Sequence, residues 1–326
     1  MFRFVTRRLV WTVPTLLVIT FLVFVAIRLG TDPVQSYLRL NPRASEAKVQ
    51  QYKDTNGLNG NIVQQYFNWL WNFVTFNWGN SIKGSRPVWP ELRVALVNTL
   101  VLGGIASIVG VSIGLLIGIL SAMRPRSTFD TATTTTAFVG ISIPPYISAV
   151  LLQLLFAILL TKWFHLEKPV LPTSGVYPPG HSGFDPVLRM KHMILPITVV
   201  AIQVIAVYSR YMRASLLEVK NNDYLRTGRA KGISERRILV RHALRNALIP
   251  IVTVAAIDFG AIVGGLIITE RIFETRGMGD YFLTAYENGD FPQLMPWMVF
   301  VVLGVILANL FADVLYAYLD PRIRLD

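Results

Sequence analysis

His165, His181, His192 and His242 fall in different segments of this 326-residue chain, and no two stand at a spacing that would hold a metal ion. Cysteine is absent, which removes disulfides, thiolate metal sites and a cysteine nucleophile. The serines and threonines have no paired base. The phosphate-cradling pattern Gly-x-x-x-x-Gly-Lys-Ser/Thr occurs nowhere, so the chain has no such loop for ATP. No residue set points to catalysis, a metal or a bound cofactor. What remains is charge in unusual places. Residues 216–249 carry Lys220, Arg226, Arg229, Lys231, Arg236, Arg237, Arg241 and Arg245 against Glu218, Asp223 and Glu235. Asp258 lies inside the apolar run VAAIDFGAIVG, where a carboxylate costs about 3 kcal/mol by insertion scales.

The basic stretch has an internal design. Asp223 is placed to cap a short helix starting at Tyr224, Gly232 to end it in the left-handed conformation, and Ser234 to cap a second helix through Arg245. Tyr224, Thr227, Gly228 and Lys231 then share one face, and the small residues let a partner approach the backbone. A solvated charged loop explains the arginines but not the paired caps around a glycine. The pattern predicts a docking surface.

The elements holding these residues are membrane spans. With 53% hydrophobic and 15% charged residues and a mean hydropathy of +0.48, the chain reads as an all-α integral membrane protein. Spans are expected at 9–29, 95–122, 132–161, 194–215, 250–271 and 294–316. Arg3, Arg7 and Arg8 put the amino terminus in the cytoplasm, and the basic loop follows on the same side, as do Arg322 and Arg324. No small-residue cleavage site follows the first span, which reads as retained rather than as a signal peptide. Three regions are expected: an inner terminus with the first span (1–29), an external insertion (30–94) and a core (95–326). In the insertion, Tyr66, Phe67, Trp69, Leu70, Trp71 and Phe73 form an aromatic stripe that predicts a half-buried or interfacial packing helix. The loop 273–293 is acidic, with Glu274, Asp280, Glu287 and Asp290 against Arg276, and suits the outside. The net charge of +12 clusters beside apolar runs, which favours anchoring at lipid headgroups over nucleic acid.

Within the spans Gly110, Gly114 and Gly118, and again Gly260 and Gly264, stand four residues apart and predict close helix packing. Pro144 and Pro145 interrupt the third span. Pro144, Gln203 and Asp258 are the candidate residues of a translocation path. An ion-coupled secondary transporter or channel is the competing class, although no internal repeat is evident and ionisable residues in the spans are few. A membrane scaffold would not need the paired caps.

RTGRAKG at 226–232 followed by RHALRNALIP at 241–250 resembles the EAA-type cytoplasmic loop of permease subunits of binding-protein-dependent ABC importers. GTDP at 30–33, SRYMRASLLEV at 209–219, ERIFETRGMGDYFLTAYENGDFP at 270–292 and DVLYAYLDPRIRL at 313–325 resemble the oligopeptide and dipeptide branch, first of its two permeases. Arg226, Thr227 and Gly228 stand where the wider family has Glu-Ala-Ala, Leu244 and Arg245 where it has Leu-Pro, and Arg276 where many relatives have proline. The resemblance implies the six-helix type I importer permease fold, with a coupling helix between the fourth and fifth spans. It implies as partners a homologous second permease, two ATPase subunits or a fused pair that use ATP and magnesium, and an extracytoplasmic solute-binding protein. By the same resemblance Tyr224, Arg226, Thr227, Gly228, Arg229, Lys231, Gly232, Ser234, Arg237 and Arg241 would face the ATPase. Dipeptides, longer peptides, glutathione and nickel complexes are all carried by permeases of this type.

Overall fold

The computed structural model describes residues 2–30 and 32–319. Thr31, Arg322 and Arg324 lie outside the described residues, as do the side chains of Arg3 and Arg8. The described residues form helices and no strand, apart from one antiparallel bridge between Asn80 and Pro87. Six helical stretches are long and apolar enough to cross a membrane.

The first is α1 (Phe2–Gly30). Three short helices follow, α2 (Pro33–Leu40), α3 (Glu46–Thr55) and α4 (Ile62–Val74). A capping box starts α4: the Asn61 side chain accepts from the Gln64 N–H at 2.9 Å, and the Gln64 side chain accepts from the Asn61 N–H at 3.1 Å. Tyr66 and Trp69 pack on Phe21 and Phe24 of α1, whereas Phe67 and Trp71 point outward, so the aromatic stripe is half packed and half exposed.

The second span is longer than its apolar run suggested. Helix α5 (Val88–Met123) begins at Val88, which takes 88–94 out of the insertion. Pro90 is tolerated there because first-turn N–H groups have no intrahelical partner in any case. The third span is broken: α6 (Thr128–Ser142) stops where Ile143, the residue before a proline, is extended (φ −81°, ψ 117°). From Pro145 the chain resumes as α7 (Pro145–Gln153), a π-helical turn (Leu154–Leu159) and α8 (Leu160–Trp163). Helix α9 (Pro186–Lys220) is capped by Asp185, whose side chain accepts from the N–H groups of Val187 and Leu188.

After α9 come α10 (Asp223–Ala230), α11 (Glu235–Arg237), a π-helical turn (Ile238–Ala243) and α12 (Leu244–Ile262). The apolar run at 250–271 is not one helix. Gly265 takes φ +103°, and α13 (Ile267–Ile272) is a separate short helix, followed by α14 (Met278–Asn288) and α15 (Phe291–Leu319).

Helices α5 and α9 pack along their lengths, and α12 and α1 both pack on α15. The α5–α9 approach is set by missing side chains. A Cβ on Gly110 would stand 2.6 Å from Val204 Cβ, and one on Gly118 would stand 2.5 Å from the Ser209 carbonyl oxygen. A Cβ on Gly114 would likewise press on Tyr208. Gly260 faces Ala308 of α15 in the same way, while Gly264 lies just past the end of α12.

Candidate coupling site and polar network

Helix α10 is built much as its sequence suggests, shifted by one residue. It begins at Asp223, with Asn222 at the N-cap, and neither Asn222 nor Ser234 makes a side-chain capping bond. Asp223 sits inside the first turn, where it is 3.6 Å from Arg226 and its carbonyl accepts from the Thr227 hydroxyl. The C-terminus closes as a Schellman motif: Ile233 N–H donates to the Gly228 carbonyl at 3.2 Å and Gly232 N–H to the Arg229 carbonyl at 2.9 Å. Gly232 has φ +73°, the left-handed region where an L side chain is costly. Arg229 ties the two helices through Glu235 at 2.7 Å.

Two residues that charge patterning did not single out anchor this motif. Leu225 and Ile238 are 1% and 2% exposed, buried with Met212, Leu216 and Val219 of α9, Ala243, and Ala247 and Ile251 of α12. Apolar residues in an otherwise basic stretch were the available signal. The opposite face of α10 stays open, with Tyr224, Thr227 and Lys231 exposed and Gly228 partly covered by Ile233 and Ile238. Asn246 donates to the Tyr224 hydroxyl at 2.7 Å and holds that ring in place. Arg226, Arg237 and Arg241 are exposed. The motif is thus one piece with the helix bundle on one side and an open, small-residue, cationic face on the other.

Beside it, Asp130 of α6 accepts hydrogen bonds from two other helices and from the turn before its own. Arg213 of α9 donates through Nε at 2.5 Å and Nη2 at 2.8 Å, the Arg126 N–H donates at 2.8 Å, and Ser121 of α5 donates from its hydroxyl. Asp130 is 3% exposed, and the Arg213 guanidinium, helped by Ser121 and Arg126, holds its carboxyl well below the usual carboxylate range. Lys220 donates to the Ala122 carbonyl at 3.0 Å, and Ser215 to that of Ala247 at 2.8 Å. The ends of α5, α6, α9 and α12 nearest α10 are therefore bolted together. The sequence hid this because its partners are far apart along the chain.

Of the three candidate path residues, Asp258 is exposed on α12 and accepts from the Tyr208 hydroxyl of α9 at 2.8 Å. Pro144 is exposed at the start of α7 and Gln203 is half-buried on α9. No hydrogen bond or ion pair joins the three among the described residues. At the end of the bundle away from α10, fully buried Glu270 accepts from the Thr99 hydroxyl at 2.6 Å and from the N–H groups of Leu266, Gly279 and Asp280. It thereby fixes the turn into α14 to α5. No cluster of His, Cys, Asp and Glu suited to a metal occurs among the described residues.

Residues 114–325 match the family of binding-protein-dependent transport system inner membrane components. The chain belongs to this family. The permease is 37% identical over 326 residues to the oligopeptide transport system permease protein AppB of Bacillus subtilis (strain 168), covering 99% of this chain and 100% of that one. It is 34% identical to a putative peptide permease protein, BRA0408/BS1330_II0405, of Brucella suis biovar 1, covering 99% of each chain. It is also 33% identical to the dipeptide transport system permease protein DppB of Alkalihalophilus pseudofirmus, again over 99% of this chain and 100% of the relative. Among solved structures it is similar to the MetNI methionine ABC transporter in its inward-facing form, with a TM-score of 0.54 at 19% identity, covering 72% of this chain and 99% of that one. The fold is that of an ABC importer permease, and the reading as an ion-coupled secondary transporter is set aside. The α10 motif lies within the matched residues, as do Asp130, Arg213, Asp258 and Glu270.

Proposed function

We propose that this permease is the membrane subunit of an ATP-driven peptide importer, forming half of the translocation path beside a homologous second permease. Two ATPase subunits, or a fused pair, dock on the open face of α10 and supply the ATP and magnesium chemistry; a solute-binding protein delivers peptide at the other end. The observation that carries the reading is the anchoring of α10. Leu225 and Ile238 join it to the core of α5, α9 and α12, so a displacement imposed on α10 by ATPase closure moves membrane helices rather than a loose loop. The relatives named as oligopeptide and dipeptide permeases support peptide over glutathione or nickel complexes as cargo. Asp258, exposed one turn before the end of α12 and oriented by Tyr208, is assigned to the path wall, where it would favour amino-terminal and cationic groups.

In this reading both termini and the 216–249 loop are cytoplasmic, and the segment between α1 and α5 is external. Single cysteines at Asn61 and Ser234 test the orientation, since the chain has no native cysteine. A membrane-impermeant thiol reagent should label Asn61→Cys in intact cells and Ser234→Cys only after lysis; labelling of Ser234→Cys in intact cells reverses the assignment. An affinity-tagged chain should copurify with an ATPase and a second permease, and cells lacking the chain should lose uptake of labelled peptides. Copurification with unchanged peptide uptake would leave a transporter for another cargo.

A further inference from the structure

At the end of the bundle away from α10, the first turns of α5, the start of α9 and the segments 175–184 and 274–276 enclose a cleft of about 720 Å³. That is the size of a small-ligand site rather than of a flat protein contact. Three guanidiniums reach its lining, from Arg93, Arg189 and Arg276, against one carboxylate, Glu274. None of the three has an ion-pair partner among the described residues. Arg189 donates through Nη2 to the Asn98 side-chain oxygen at 2.9 Å, while its Nε–H is buried with no hydrogen-bond partner among the described residues. A buried guanidinium edge left open is an unfilled demand for an acceptor.

The floor of the cleft is rigid. The Asn98 amide donates to the carbonyls of Thr275 and Arg276 at 2.8 and 3.3 Å, and Gly175 N–H donates to the Phe273 carbonyl at 2.8 Å. Glu274 and Arg276 both take φ +51°, a strained conformation for side-chain-bearing residues that proline could not adopt. The Arg276 backbone is held there by Asn98, and its side chain belongs to the cleft lining. Val94, Val97 and Phe184 give the cleft an apolar wall, beside the stacked rings of Tyr177 and His181. Guanidiniums presented beside an apolar wall suit an anion carrying a side chain.

We propose that this cleft binds the carboxyl-terminal carboxylate of a peptide as it enters the permease, with the terminal side chain against the apolar wall. The proposal rests on the peptide reading given above. It places a recognition element within the permease itself, in addition to the binding protein.

The test uses the assembled transporter in nanodiscs of zwitterionic lipid, with Val97→Cys as the only cysteine of this chain and Val97 41% exposed in the cleft. Labelling of this chain by an anionic methanethiosulfonate is timed with and without a saturating short peptide, as the free acid and as its carboxyl-terminal amide. The free acid, held at about ten times its Kd, should slow labelling about tenfold by occupancy, and the amide, which lacks the charged acceptor, should not. Arg93→Gln with Arg276→Gln should abolish the protection, and Arg93→Lys with Arg276→Lys should keep part of it. A neutral maleimide reacting at the parent rate in all variants reports an intact cleft. Equal protection by acid and amide, no protection, or protection conferred by phosphatidylglycerol instead of peptide overturns the proposal. Uptake of the same peptide is measured in parallel. Uptake without protection removes the cleft alone, whereas absent uptake removes the peptide reading beneath it.

Discussion

Replacing Gly232 by valine isolates a backbone effect, because nothing lies within 4 Å of the position its Cβ would occupy. The cost is then conformational: φ +73° is cheap for glycine and costs an L residue about 1–2 kcal/mol, with a β-branched side chain at the upper end. That cost acts on the two hydrogen bonds that close α10 and on the placing of Ile233 and Ile238 against the core. Because the spans do not depend on this turn, the loss falls on the population of the docked geometry, by at most about 5- to 30-fold. The apparent affinity of the ATPase subunits should fall by the same factor, read by titrating ATPase into permease in nanodiscs and by substrate-stimulated ATP hydrolysis. Asparagine, which tolerates the left-handed region, should cost least, alanine more and valine most. If Gly232→Asn were as damaging as Gly232→Val, the cause would be a lost contact with the ATPase. If Gly232→Val coupled normally, the turn would have no part in coupling.

Asp130→Asn breaks the carboxylate that joins α5, α6 and α9, and should cost about 3 kcal/mol, the low end for a buried pair since Arg213 keeps some access to water. Thermal unfolding in detergent measures this. The lowered value of the Asp130 carboxyl means its contribution is whole above the ordinary carboxylate pKa of about 4 and is lost only as pH falls through the folded value. Between about pH 5 and pH 8 the difference between parent and Asp130→Asn should therefore stay constant, and a difference that grows across that window would contradict the assignment. Glu270→Gln puts an amide among the donors that now serve a buried carboxylate and should destabilise the assembly by about 2–4 kcal/mol, seen as a lower unfolding temperature. Asp258→Asn preserves shape and removes charge; uptake of cationic peptides should fall relative to neutral ones, and equal rates for both would leave Asp258 a structural partner of Tyr208.

The sequence was most legible where a residue type has few uses. A glycine with a serine two residues on, in a basic loop, marked the α10 turn, and glycines four residues apart in an apolar run lie where α5 meets α9. Hydropathy was least informative about backbone. The apolar run at 250–271 hides the break after Ile262, because Gly264 and Gly265 are as compatible with a span as with a turn. The apolar pattern places the start of α5 late because Glu91 and Arg93 end that pattern but not the helix. Contacts between distant residues were not legible at all: nothing local to Asp130 announces Arg213, and nothing in the 173–185 segment announces that it roofs a cleft with Arg93 and Arg276. Glu270 lay between these extremes. It stands in sequence shortly before a turn containing Gly277 and Gly279, whereas its bond to Thr99 is visible only in the fold.

The π-helical turn at Ile238–Ala243 sits between the docking motif and α12, and its closing bond runs from the Leu244 N–H to the Leu239 carbonyl, five residues back. Such a turn packs one more residue into a revolution than an α turn does, and each α-helical residue accounts for about 100° of rotation and 1.5 Å of rise. It is a stored twist. Were it rewound as α-helix with the docking end held, α12 would revolve by about a quarter turn or slightly more, and Asp258 would swing off the Tyr208 hydroxyl toward another face of the bundle. A push delivered along one helix would in this way emerge as torque, altering which side chains face the interior without requiring the spans to slide past one another.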